Sequence, residues 1–220
     1  MKKLILLFAV LIILFPFDSF SQINITKEQA EEFRQQLQLL QGVQASNFAL
    51  TDTTGNMVKL EDFRDKLIII DFWFTSCAPC INEIPYFKKV KALYKDSTNV
   101  VFINICIDNI ERKPQWKSLI NKHKIGGVNL FLPKNREATE ENRFYIDEIN
   151  IFPTYLLVSK AGLILGALPN VESITMPFSI SRGFNNKTTV ASFDDFLTSN
   201  DVFKEWLTLN MNSIMELQRK

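Results

Sequence analysis

The chain has 220 residues, 46% hydrophobic and 22% charged, with only 7 Gly and 8 Pro, which excludes a disordered, collagen-like or low-complexity protein. Its 25 Lys and Arg against 24 Asp and Glu leave a net charge of +1; with no basic excess to neutralise phosphates, nucleic acid is not an expected partner. A single His makes a His-rich metal site or a Ser-His-Asp triad hard to build.

Met1-Lys2-Lys3 is a short basic start, Leu4 to Phe15 is apolar and uncharged, and Pro16, Asp18, Ser19 and Ser21 follow. This is the three-part plan of a secretory signal cut after Ser21. The twelve-residue apolar run makes ~18 Å of helix, short of a bilayer core of about 30 Å. An uncleaved anchor would take Pro16 and Asp18 into lipid. Residues 1–21 are therefore read as a signal peptide, and the expected location is periplasmic or otherwise extracytoplasmic. Membrane contact is expected only if that segment stays attached. In an oxidising compartment a close Cys pair can form a disulfide and cycle.

Thr26 to Gln41 reads as a helix, with capping-box spacing at Thr26 and Gln29 and an apolar stripe of Phe33, Leu37 and Leu40. Residues 22–45 are thus a helical extension, and residues 46–220 the main domain. Asn47–Leu50 and Met57–Leu60 read as a hairpin, and Leu67–Phe74 as a strand buried on both faces and interrupted only by Asp71. From Ala78 the pattern turns helical, with Ile81, Ile84, Phe87 and Val90. Asn99–Ile107 is a second buried strand, followed by helix Gln115–His123, strand Asn129–Leu132 and helix Glu140–Ile149. Strands Tyr155–Val158 and Leu163–Gly166 turn at Lys160-Ala161-Gly162, and Asp201–Gln218 reads as a closing amphipathic helix. The alternation implies an α/β sandwich with a mixed sheet, parallel early and closed by a late hairpin. Residues 167–195, rich in Ser, Thr and Asn with Pro169 and Pro177, read as a long surface insertion.

Cys77-Ala78-Pro79-Cys80 sits where a buried strand ends and a helix begins. Unpaired amides and the helix dipole favour negative charge there, so the Cys77 thiol should ionise readily. Two intervening residues allow the sulfurs to close a small ring; Cys77 is expected to be exposed and attack first, and Cys80, one turn in, to resolve the mixed disulfide. Pro79 falls in the first turn, where its missing N–H costs little. Asp71 is either a buried carboxyl with a raised pKa that takes the Cys80 proton, or a half-exposed edge residue with no chemistry. Phe152-Pro153-Thr154 precedes a strand, a position open to proline, and a cis bond there would present a backbone edge beside the cysteines.

Asp71-Phe72-Trp73, Cys77-Ala78-Pro79-Cys80, Pro85, Ile151-Phe152-Pro153-Thr154 and Gly162 together resemble the thioredoxin superfamily. Residues 47–85 are similar to its TlpA/ResA-like branch of extracytoplasmic thiol–disulfide oxidoreductases, and the likeness extends over roughly residues 46–168. The resemblance implies a thioredoxin-like three-layer sandwich around a mixed sheet, with the N-terminal helix and β-hairpin as an extension. It implies Cys77 as nucleophile, Cys80 as resolving thiol, Pro153 as a cis-proline facing them, Pro85 as a helix-kinking proline and Asp71 as a buried acid. Trp73, Pro79, Phe152, Pro153 and Thr154 are the expected substrate contacts. The partners implied are protein disulfides or dithiols and an upstream thiol electron donor, with no cofactor. The proline between the cysteines resembles the reducing thioredoxin motif and favours a reductase. Three positions depart from the pattern: Ser76 replaces a Trp, Ala78 stands where some members carry an acid, and Phe152 is bulkier than the usual residue before the cis-proline.

Rival chemistries lack residues. Zinc wants four ligands, and beyond the pair only Cys106 and His123 remain among Cys and His. Copper delivery would want three residues between the cysteines, and haem attachment a His where Ile81 stands. A peroxidase of the Pro-x-x-x-Thr/Ser-x-x-Cys type would need Pro and Thr or Ser where Ile70 and Phe74 stand. No metal is expected. Cys106 reads as a buried small hydrophobe and His123 as a solvated helix residue. Glu83 reads as a first-turn surface acid complementing the dipole, or as a general acid. The alternative function is a binding or chaperone module, or a metal-delivery protein, with incidental redox activity.

Overall fold

The computed structural model describes residues 26–134, 140–168, 175–198, 205–206 and 209–210. In chain order these form α1 (Lys27–Leu37), β1 (Ala49–Asp52), β2 (Met57–Lys59), β3 (Leu67–Trp73), α2 (Ala78–Leu93), β4 (Val100–Asp108), α3 (Lys113–His123), β5 (Val128–Pro133), α4 (Glu140–Glu148), β6 (Thr154–Val158), β7 (Ile164–Ala167), α5 (Thr175–Gly183) and α6 (Thr189–Leu197). The chain divides between Arg34 and Gln35, within α1, into two compact units, and the sheet and cysteine pair lie in the second. The start of α1 carries the expected reciprocal cap: the Gln29 amide donates to Thr26 Oγ1 and the Thr26 amide to Gln29 Oε1. Among the described residues no helix is long and apolar enough to cross a membrane. The signal-peptide reading of residues 1–21 lies outside the described residues, as does most of the closing helix Asp201–Gln218.

The sheet is mixed, in the order β2-β1-β5-β4-β3-β6-β7, with β3, β4 and β5 parallel and the remaining pairs antiparallel. Period-2 alternation splits the central strands between two faces. Ile68, Ile70 and Phe72 of β3 and Ile103, Ile105 and Ile107 of β4 face one way, into a core completed by Tyr145 and Ile149. Leu67 and Ile69 of β3 and Val100 and Phe102 of β4 join Phe87 and Val90 of α2 and Met176 and Ile180 of α5. The result is the expected three-layer α/β sandwich.

The described part of the expected insertion, residues 175–195, is not a surface loop. It forms α5 and most of α6, which bury Met176, Phe178, Ile180, Phe193 and, just beyond, Phe196, and Arg182 pairs with Asp195 across the two helices at 2.6 Å. The Ser and Thr content that suggested a loop is absorbed: Thr188 caps α6 by accepting from the Ala191 amide, and the Thr189 hydroxyl donates to the carbonyls of Leu37 and Leu165. Residues 42–45 pair with β7: the Gly42 amide donates to the Ile164 carbonyl, the Ile164 amide to Val43, and the Ala45 amide to Gly162.

Candidate functional site

β3 ends at Trp73, and a tight turn closed by the Cys77 amide donating to the Phe74 carbonyl (3.0 Å) swings the chain into α2. Cys77 is the N-cap of α2 in extended conformation, and its sulfur accepts from the Cys80 amide at 3.2 Å. Pro79 occupies the first turn, where no amide is needed. The two cysteines are joined as a disulfide, their Cα atoms 5.3 Å apart. The loop before them is braced from β4: Asp108 Oδ2 accepts from the Thr75 amide at 3.0 Å and from the Thr75 hydroxyl at 2.5 Å.

The expected exposure of Cys77 does not hold. Cys77 is 3% exposed and Cys80 6%, so both residues are buried, the first no less than the second. The cause is local packing. The pair shares a buried apolar cluster with Trp73, Cys106, Trp116, Ile120 and Phe131, and the half-buried Leu119, Ile125, Phe74 and Phe152 pack against that cluster. Those two rings meet edge to face, with centroids 5.2 Å apart and planes at 89°. Phe152 precedes Pro153 through a cis peptide bond, and the turn Ile151–Pro153 lies ahead of β6. Of the five expected substrate contacts, Pro79 is exposed and Phe152 and Pro153 are half-buried. Trp73 and Thr154 turn inward: Trp73 falls on the α2 face by strand alternation, and the Thr154 hydroxyl donates to the Ile151 carbonyl at 2.7 Å.

Beneath α2 a polar row crosses four strands. Register places Tyr155 of β6 beside Asp71 of β3, Asp71 beside Asn104 of β4, and Asn104 beside Asn129 of β5. α2 supplies the charged groups above it. Tyr155 OH donates to Glu83 Oε2 at 2.7 Å, and Lys91 Nζ donates to Asn104 Oδ1 at 2.8 Å and to the Gly126 carbonyl at 2.7 Å. Asn104 in turn donates to Asn129 Oδ1 at 3.0 Å. Asp71, half-buried on its strand, lines a cavity of about 10 Å³ with Trp73, Cys80, Ile84, Phe87 and Lys91, room for about one water molecule between the carboxyl and the inner cysteine. Desolvation pushes the Asp71 carboxyl up to about 7; Lys91 opposes the rise and Glu83 adds to it. The same burial draws the Lys91 ammonium down to about 8, against the pull of Asp71.

Glu83 is therefore not a first-turn surface acid: it lies in the second turn of α2 and engages Tyr155. Cys106 is fully buried and its thiol pKa is raised by desolvation, with Asp108 and Asp71 adding to the rise. Lys91, Tyr155, Asn104 and Asn129 were not singled out in the sequence. The available signal was period-2 placement, because Asn104 interrupts β4 as Asp71 interrupts β3, and the two align in register. Among the described residues no group of three or more His, Cys, Asp or Glu side chains could hold a metal ion.

The chain is similar to Thiol-disulfide oxidoreductase ResA of Bacillus thuringiensis subsp. konkukian (strain 97-27), 36% identical over 100 residues, 44% of this chain and 53% of that one. With ResA of Bacillus subtilis (strain 168) it shares 26% identity over 139 residues, 62% of this chain and 71% of the relative. It thus spans about half the length of the first relative and more of the second. Among solved structures it resembles the thioredoxin domain of a thiol-disulfide oxidoreductase from Bacteroides vulgatus, with a TM-score of 0.51 and 27% identity over 59% of this chain and 89% of that one. A thiol:disulfide interchange protein from Bacteroides sp. gives a TM-score of 0.50 and 28% identity, over 60% of this chain and 84% of that one. The AhpC/TSA family pattern matches residues 41–166, from the segment that borders β7 through the cysteine pair and the cis-proline to β7 itself. With that match covering more than half of its length, the chain belongs to the AhpC/TSA family.

Proposed function

We propose that the protein is an extracytoplasmic thiol–disulfide oxidoreductase that reduces protein disulfides through the Cys77–Cys80 dithiol. The observation that carries this reading is the pair itself, closed at the N-terminus of α2 with the Cys80 amide directed at the Cys77 sulfur. The names borne by the ResA relatives support it. The charge pattern of residues 1–21 supports the location. Ile70 and Phe74 stand where a peroxidase of this family's fold would need Pro and Thr or Ser, which favours disulfide exchange over peroxide reduction.

In the reduced protein the Cys77 thiolate, stabilised by the Cys80 amide and the helix dipole, attacks one sulfur of a substrate disulfide. The Cys77–substrate bond forms and the substrate's S–S bond breaks, releasing one substrate thiolate. Cys80 gives its proton toward Asp71 through the small cavity and attacks the Cys77 sulfur. The Cys77–Cys80 bond forms and the second substrate thiolate leaves. Two electrons have passed from the dithiol to the substrate, and an upstream thiol donor restores the pair. The backbone edge at Pro153 is suited to an extended substrate segment.

Trapping tests the reading. Cys80→Ser is expected to accumulate Cys77-linked mixed disulfides with proteins of the native compartment, and Cys77→Ala to lose insulin-disulfide reduction down to the uncatalysed rate. A Cys77→Ala variant that still reduces insulin would overturn it; absence of adducts from the Cys80→Ser variant would favour a binding module. A couple poised near −270 mV fits a reductant, and one near −120 mV an oxidant.

A further inference from the structure

The burial of both cysteines sets a problem that the exchange mechanism does not solve. Any sulfur that reacts with Cys77 must reach it in line with the bond being broken, yet Cys77 is 3% exposed. Phe74 and Phe152 are the two half-buried aromatic side chains that pack against the cluster holding the pair, and their rings meet edge to face at 5.2 Å. They come from different parts of the chain. Phe74 opens the turn that delivers Cys77, and Phe152 stands on the turn before β6. Near them in the chain apolar groups are accessible, with Ser76 the exposed polar neighbour: Ile151 is 69% exposed, and Ala78 and Pro79 are exposed on α2.

We propose that Phe74 and Phe152 form a displaceable aromatic lid over the Cys77–Cys80 disulfide, which makes the pair selective for polypeptide segments bearing an apolar side chain next to their cysteine. This rests on the disulfide-exchange reading. A segment laid along the Pro153 edge brings its own apolar side chain against Ile151 and Pro79, and so replaces the contact that the Phe74 and Phe152 rings lose when they part. A small hydrophilic thiol offers nothing in exchange and must wait for the lid to open unaided. Phe74 is in this sense a specificity-determining residue, acting on access to the sulfur and not on its ionisation. The reaction it gates is balanced. An incoming thiolate bonds to the Cys77 sulfur, the Cys77–Cys80 bond breaks, and Cys80 leaves as a thiolate that takes up a proton. A second thiol then displaces Cys77 and the two incoming thiols leave as a disulfide.

The test uses the full mature chain in its oxidised form, with two reductants of matched thiol pKa: glutathione and a short peptide with Leu beside its Cys. Second-order rate constants are followed through tryptophan fluorescence, since Trp73 and Trp116 lie in the same cluster as the pair. The wild type is expected to react with the Leu-Cys peptide about tenfold faster than with glutathione. Phe74→Ala is expected to raise the glutathione rate about tenfold and abolish the preference, with an unchanged equilibrium against a glutathione redox buffer. A change in that equilibrium of the size of the rate change would mean that the ring tunes the sulfurs and does not gate them, which overturns the proposal. So would equal wild-type rates for the two reductants, or a glutathione rate unmoved in both Phe74→Ala and the better-packed Phe74→Leu. Loss of all thiol reactivity in the wild type would instead sink the exchange reading itself.

Discussion

The two faces of the central sheet are built from the same strands and do opposite work. On one, Ile68, Ile70 and Phe72 meet Ile103, Ile105 and Ile107 with no ionisable side chain from either strand. On the other, one residue away along each strand, Asp71 and Asn104 lie under Glu83 and Lys91. A strand flips its side chains at every residue, so a purely apolar face beside a polar row requires no change in backbone. The apolar face supplies burial in quantity. Burial on the ionisable face instead withholds water from Asp71 and Lys91, which moves their proton affinities toward neutrality.

Substitutions on each face should separate these roles. The largest effect is expected from Phe72→Ala, whose ring packs 5.4 Å from that of Tyr145. It should cost about 3–5 kcal/mol in urea unfolding while leaving the Cys77–Cys80 potential in place; a large shift in potential would show that the faces are coupled. Next, Asp71→Asn should slow resolution by Cys80 about 100-fold at pH 8 and remove a rate dependence centred near pH 7. The same substitution should remove a stability trend. A carboxyl whose pKa rises from 3.8 to about 7 on folding keeps its proton in the native state over a range where the unfolded chain has lost it. Its contribution to stability therefore declines as pH rises from about 4 to 7, and Asp71→Asn should be more stable than wild type at pH 8 by about 2 kcal/mol.

Lys91→Met is a finer probe, because Lys91 is the charge that holds the Asp71 carboxyl down. Its removal should move the midpoint of the pH–rate profile upward by about one pH unit; an unmoved midpoint would detach Lys91 from the site. The smallest effect is expected from Asp195→Asn, which breaks the half-buried pair with Arg182. A loss of about 0.5–1 kcal/mol in thermal unfolding, with exchange kinetics intact, would assign α5 and α6 to support of the ionisable face.

The legible parts of this molecule are those in which a single stretch of chain carries the signal. β3 and β4 are apolar runs broken inside only by Asp71 and Asn104, so their existence and parallel pairing follow from composition along the strand. The cysteine pair and its place at a helix start can be read in ten consecutive residues. Asp71 can be read because a carboxyl in such a run has few explanations. Lys91 is hidden, because a lysine in a helix resembles every solvated lysine until the fold lays it over Phe87, 4.4 Å from the ring centroid, within reach of Asn104. The burial of Cys77 is hidden for a similar reason: the cluster it joins draws Trp116 from α3 and Phe131 from β5, brought to it by tertiary structure alone. α5 was obscured by composition, since Ser, Thr and Pro weigh toward a loop while Met176, Phe178 and Ile180 supply the burial.

The hydrogen bonds from residues 42–45 to Ile164 and Gly162 have a consequence for any shortened form of the protein. They occupy the outer rim where β7 begins, at Ile164 and the turn before it, which would otherwise offer vacant amide and carbonyl groups to a neighbouring molecule. A chain trimmed to start at Ser46 would keep every residue of the redox pair and yet bare that rim. Its failure would show first as self-association in solution, with the chemistry of the sulfurs still intact.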